Sequence, residues 1–286
     1  MKNSRAAYAF LALPMAVLFA FALIPSALGV ALAFFQWDGG GEARFVGVEN
    51  FRALAGDPRF WPALRNTLLF TIGTVPATVA LAFVLAAIMH ARWFVGRDIC
   101  RTLFFLPTVV AIVAIGFVWR WMLNDGSGLV PAAIRALGGS PPNFLEEGAW
   151  PLVSIIAVSV WRGVGFALVL YLAAMSSLPE SLYEAAELDG AGRGAMLRHV
   201  TWPGVTPMTV FLCVTGVIGA LQVFDIVLVM TTSEVESSAT NVLNWYVYRE
   251  FKGGRLGYAA ALGCVVLALS LAATAAQLRL VRRGLR

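Results

Sequence analysis

Lysine is nearly missing from this chain: Lys2 and Lys252 are the only two among 286 residues. Neither follows a glycine-rich loop or precedes Ser or Thr, so there is no phosphate-cradling P-loop, and the chain is not expected to hydrolyse ATP itself. Histidine is equally scarce. His90 and His199 both fall at the edges of apolar runs, which leaves no intramembrane Ser–His or metal–His set and speaks against catalysis, so no catalytic residue is assigned. Cys100, Cys213 and Cys264 are odd in number and scattered in or beside apolar stretches, a pattern that implies neither a disulfide framework nor a metal site. Small apolar packing is their expected use. Charge of either sign is sparse too, at 13% of residues against 59% hydrophobic. With a mean hydropathy of +0.79, a soluble globular chain is excluded.

What is there is a succession of uncharged runs. Residues 6–37, 66–89, 102–119, 200–224 and 256–278 carry no Asp, Glu, Lys or Arg, and 148–179 carries only Arg162. Each reaches the roughly 20 apolar residues that a hydrocarbon core requires. The expected fold class is therefore all-α: a polytopic membrane protein of six transmembrane helices forming one domain over 1–286, with no separate soluble domain. Lys2 and Arg5 before the first run resemble the start of a signal peptide. The run is too long for one and lacks a cleavage site, so an uncleaved first span is expected.

The net charge of +5 would suit nucleic acid if the basic residues formed one patch, but they sit at the ends of the runs. No nucleic-acid partner is expected. With a cytoplasmic amino terminus, the inside segments (1–7, 90–101, 173–202, 279–286) hold 11 Lys+Arg in 57 residues, and the outside segments (36–65, 120–149, 231–256) hold 9 in 86. That is the bias of the positive-inside rule. Both termini and residues 173–202 are thus expected in the cytoplasm.

One polar interval is more than an exposed loop. From Pro179 to Pro203, Leu178, Leu182, Ala185 and Ala186 fall at helical spacing, with Glu180, Glu184 and Glu187 on a separate stripe. Ser177 is placed to cap this helix, with Pro179 in its first turn. Asp189-Gly190 provides a stop. A second short helix is expected beyond it, with Met196, Leu197 and Val200 on one side and Arg193 and Arg198 on another. Two short helices joined at a glycine make a knuckle suited to docking a partner.

The spacing of Glu184-Ala185-Ala186, Gly190 and Val200-Thr201-Trp202-Pro203 resembles the EAA loop of ABC importer permeases, with Val200 and Trp202 where the consensus has Ile and Leu. FVGVENFRAL and DPRFWPALRNTLLF after the first run, RTLFFLP at Arg101–Pro107, LQVFDIV and LGYAAAL are similar to segments of the carbohydrate-uptake branch, so the resemblance covers about residues 8–283. It implies a cytoplasmic coupling loop at 177–203, carried by Glu184, Ala185, Ala186, Asp189, Gly190 and Pro203. It further implies a second permease subunit, two ATP-binding cassette ATPase subunits holding ATP and Mg, an extracytoplasmic solute-binding protein, and a sugar or sugar-like solute. No cofactor is expected in this chain.

Charged groups within a membrane usually face a cavity or a partner. Arg162 lies about 18 Å and Asp225 about 8 Å below the outer ends of their spans, at 1.5 Å per residue, which argues against a direct ion pair. Gln222 and Asp225, three apart, are expected on one face of the fifth helix. With Trp161 or Phe224 as an aromatic platform they could receive a sugar ring. Trp161, Arg162, Gln222, Phe224, Asp225 and Tyr258 are the candidate substrate path, although helix packing would equally occupy Arg162 and Asp225. An ion-coupled secondary transporter is the alternative. It would want buried acidic groups and paired broken helices, of which the sequence offers one Asp and no inverted repeat.

Overall fold

A computed structural model describes residues 4–91, 93–231 and 240–284, with side-chain surroundings for those between 10 and 279. Helices dominate. Five of them are long and apolar enough to cross a membrane, and one bent pair, counted as a single span, brings the number to six. The all-α expectation holds.

The first span, Phe10–Leu32, joins α1 (Ser4–Leu18) to α2 (Ile24–Leu32) through a wide π turn at Phe19–Leu23. Pro25 stands at the start of α2, two residues beyond that turn. A proline within a helix cannot donate to the fourth carbonyl before it and crowds that carbonyl, and a π turn gives it room. The same arrangement recurs in the fifth span, Arg193–Leu221, where α10 (Arg193–Met196) passes through a π turn at Leu197–Thr201 into α11 (Trp202–Leu221), with Pro203 two residues on. The second span is α4, Phe60–His90, which begins before the uncharged run. The fourth is α8, Trp150–Ser176, and the sixth lies in α14, Leu256–Gly284.

The third crossing differs from its expectation as one span. It is α5 (Arg97–Val109) and α6 (Ile112–Met122), bent by 97°. Val110 and Ala111 between them are extended, with ψ of 140° and 130°. Each half has its own neighbour. α5 lies on α8, whereas α6 lies on α12 (Asp225–Met230), where the Arg120 guanidinium donates to the Val229 carbonyl at 3.4 Å. The helix breaks because its two halves satisfy different partners.

The chain forms two compact units. One comprises residues 1–61 and 243–268. In it a small antiparallel hairpin pairs β1 (Phe35–Gln36) with β2 (Arg44–Phe45), its turn held by Asp38, which accepts from the amides of Gly40 and Gly41. The side-chain amide of Asn50, in α3 (Glu49–Gly56), donates to the carbonyls of Ala33 and Phe35 at 2.9 Å and fixes that helix to the end of the first span. This unit also holds α13, Leu243–Lys252.

The other unit comprises residues 62–242 and 269–286. Its core brings Ala82, Ala86 and Met89 of α4 against Val164, Leu168, Tyr171 and Met175 of α8 and Val205 and Leu212 of α11. The buried Tyr171 hydroxyl donates to Thr209 at 2.8 Å, so burial of this ring leaves no polar atom unmet. Arg97 donates to the carbonyls of Met89 and His90 at 2.6 and 3.1 Å, closing the last turn of α4, whose carbonyls have no partner within the helix. Between α6 and α8 the chain forms α7, Leu129–Ala136.

Candidate functional site

The knuckle stands out from the second unit. Its first helix is α9, Glu180–Leu188. Pro179, and not Ser177, occupies the capping position, and the Ser177 hydroxyl turns back to the Ala174 carbonyl at 2.7 Å. A proline there already removes one amide that would need capping, so the serine is free to close the end of α8. The stop at Asp189-Gly190 is as expected. Gly190 has φ +75°, its amide donates to Glu187 and that of Ala191 to Ala186, the paired bonds of a Schellman motif.

The second arm departs from expectation. The short helix beyond Gly190 is α10, and it runs on through the π turn into α11 as the start of the fifth span and does not end as a separate arm. Glu184, Ala185, Asp189, Gly190 and Pro203 are exposed and Ala186 is half-buried. Leu188 is 90% exposed at the tip, with Leu182 beside the glutamates at 49%. The Tyr183 hydroxyl lies 3.1 Å from that of Thr201, tying α9 to the π turn.

A cavity of about 440 Å³ opens within the same unit, among α4, the α5–α6 break, α8 and α11. Its polar lining is Thr74, Thr78, Thr108, Ser159, Arg162 and Thr215, and Phe70 and Phe166 supply aromatic wall. The Thr108 hydroxyl donates to the Arg162 carbonyl at 3.2 Å, joining α5 to α8 at cavity level. The Arg162 Nε and the hydroxyls of Thr74 and Thr78 are buried without a partner.

Of the six expected path residues, only Arg162 lines this cavity. Trp161, its neighbour, turns away to meet Trp119 edge-on at 5.5 Å. Gln222 and Asp225 do not share a helix face, because α11 ends at Leu221 and α12 begins at Asp225. Both are exposed, Phe224 is half-buried between them, and the residues that the break carries to the cavity are Val223 and Ile226. Arg162 and Asp225 form no ion pair with each other. The threonines went unassigned in the sequence, although Thr74 and Thr78 stand one helical turn apart and hydroxyls at that spacing in an apolar run mark a polar stripe.

Tyr258 belongs to the other unit. Its hydroxyl donates to Asp57 at 2.9 Å, the Tyr246 hydroxyl donates to the same oxygen, and the Arg255 guanidinium lies 4.3 Å over its ring. Its hydroxyl is therefore committed to holding Asp57, at the end of α3, to α13 and α14. Burial pushes the Asp57 carboxyl up, but hydrogen bonds from Tyr246, the Arg59 amide and Tyr258, with the Arg59 charge, outweigh it and hold the group below the usual carboxylate range. A depressed carboxyl stabilises the fold fully above its unfolded value of about 3.9 and loses that contribution as pH falls through the lower folded value. Asp57→Asn should therefore cost about 1.5–3 kcal/mol at neutral pH and flatten the acid limb of thermal stability. Melting curves of the detergent-solubilised protein from neutral pH into the acid range check this.

Residues 78–285 match the family described as binding-protein-dependent transport system inner membrane component. The chain belongs to this family. The match runs from the cavity threonine Thr78 through the knuckle and sets aside the ion-coupled secondary transporter. Relatives in the family agree along most of their length. The chain is 31% identical over 291 residues to the probable ABC transporter permease protein YurN of Bacillus subtilis (strain 168), covering 99% of this chain and 98% of that protein. It is 32% identical over 242 residues to the lactose transport system permease protein LacF of Rhizobium radiobacter, covering 84% and 80%. A bacterial alginate ABC transporter, solved in complex with an alginate pentasaccharide-bound periplasmic protein, superposes with a TM-score of 0.87 at 26% identity, over 99% of this chain and 96% of that one.

Proposed function

We propose that this chain is a permease subunit of an ATP-driven ABC importer and carries a sugar or sugar-like solute across the inner membrane. The observation that carries the reading is the cavity: threonine hydroxyls and an aromatic wall inside a helical unit whose α9 knuckle projects with exposed leucines and glutamates. Hydroxyls and rings are what a pyranose recognises, the first by hydrogen bonds and the second by apolar contact with its C–H face. An exposed leucine at the tip of a projecting helix offers apolar surface that a partner protein can cover.

The partners that suit this arrangement are a second permease subunit, two ATPase subunits that hold ATP and Mg, and an extracytoplasmic binding protein that delivers the solute. The knuckle lies in the cytoplasm with both termini, where ATPases would meet Glu184 and Leu188. Their closure would move the knuckle, and α8 and α11 would open the cavity to alternate sides. Threonine and phenylalanine contacts at the cavity are individually weak, which suits a site that must release what it receives.

Two measurements test the reading. In proteoliposomes holding the assembled complex, uptake of labelled sugars should require both ATP and the binding protein, and uptake driven by an ion gradient without ATP would overturn the importer. For the orientation, cysteines introduced at Ser140 and Arg193 on a background lacking Cys100, Cys213 and Cys264 should label from outside at 140, and at 193 only after permeabilisation. External labelling at 193 would reverse the topology. A third position, Ser237, is expected outside but lies beyond the described residues.

A further inference from the structure

We infer that the cavity is built for a solute bearing an anionic group, a carboxylate or another oxyanion, with Arg162 as its counter-charge. This rests on the permease reading and narrows its solute class. Arg162 is the one formally charged side chain in the lining. A guanidinium does not deprotonate in proteins, so its charge persists wherever it is placed. Its Nε is buried with no acceptor, and no carboxylate pairs with it among the described residues.

The surroundings sharpen the case. Thr74 and Thr78 present two more buried hydroxyls without partners. Thr78 packs against the neighbour of Arg162: a Cβ on Gly163 would lie 3.3 Å from its methyl carbon. The remaining wall is largely apolar, with Phe70, Val75, Ile112 and Phe166. A charge in such a setting is costly unless it is paired and hydrogen-bonded. A neutral sugar would leave the guanidinium uncompensated. An oxyanion in the cavity neutralises that charge.

The test compares D-glucuronate with D-glucose as probes of the purified complex carrying this chain, by saturation-transfer NMR in detergent. Charge-assisted bonds predict at least about tenfold preference for glucuronate. Arg162→Gln should abolish the preference, while Arg162→Lys, which keeps the charge, should retain most of it. If Arg162→Gln does not assemble, the wild-type preference itself should shrink as salt is raised, since screening weakens a partly solvated ion pair. Equal binding of the two probes, glucuronate binding unchanged by Arg162→Gln, or no glucuronate signal at all would each overturn the inference. The last would mean that a neighbouring subunit already supplies the anion. Uptake plays no part in this readout. A complex that binds glucuronate but transports nothing would count against the importer, and one that imports neutral sugars while ignoring glucuronate would count against this inference alone.

Discussion

Gly165→Ala is expected to lower the yield of folded protein sharply and to lower the melting temperature of what remains. A Cβ at position 165 of α8 would lie 1.9 Å from the Phe104 carbonyl oxygen and 2.7 Å from its carbon. Both are backbone atoms of α5, so no rotamer change relieves the overlap and one helix must move. Overpacking of this kind costs about 1–3 kcal/mol, sometimes more, against a total of about 5–15 kcal/mol for a whole fold. The displacement would also reach the cavity, because Thr108 of α5 holds the Arg162 carbonyl. Thermal unfolding in detergent, with yield per unit of membrane, reads the effect. Wild-type melting at wild-type yield would show that α5 does not lie on α8 as described.

Gly190→Leu should act on assembly and spare folding. The residue is exposed and an added Cβ meets nothing within 4 Å, so packing is no obstacle; the φ of +75° is. For a residue with a Cβ, that left-handed conformation costs roughly 1–2 kcal/mol, about a 5- to 30-fold shift in an equilibrium. The turn would open, α9 would swing, and Glu184 and Leu188 would no longer face the proposed ATPase together. Membrane insertion should be normal while copurification of the ATPase falls by that factor. Gly190→Asn, whose side chain tolerates the left-handed region, should lose much less. Undiminished association and transport in Gly190→Leu would remove the knuckle from coupling.

The crossings were legible because hydrocarbon demands a long uncharged run and tolerates nothing else, and composition alone reports that. The turn at Gly190 was legible for a local reason too, since few residues but glycine take its backbone. What escaped is set by packing. No glycine or proline marks Val110-Ala111 or Gln222–Phe224, yet both are breaks, because α5 and α6 lie on different helices and α12 follows α6 rather than continuing α11. In the fifth crossing this placed Val223 and Ile226, rather than Gln222 and Asp225, at the cavity. Arg162 could be singled out as a charge in an apolar run. Thr74 and Thr78 could not be ranked above other threonines until α4 was seen to turn them the same way, for a span apolar on every side gives little sign of which face points inward.

The continuity of the fifth span has a mechanical consequence. From Arg193 to Leu221 it runs through 29 residues, about 43 Å at 1.5 Å per residue. The knuckle's second arm and the cavity wall at Thr215 are therefore two places on a single lever, with no slack between them. The wide turn at Leu197–Thr201 sits near the end at the knuckle and makes a natural fulcrum. Thr215 lies about 22 Å beyond it, so a tilt of about 10° would carry that hydroxyl about 4 Å. Under the proposed importer reading, a small stroke at the knuckle would therefore be felt at the cavity wall.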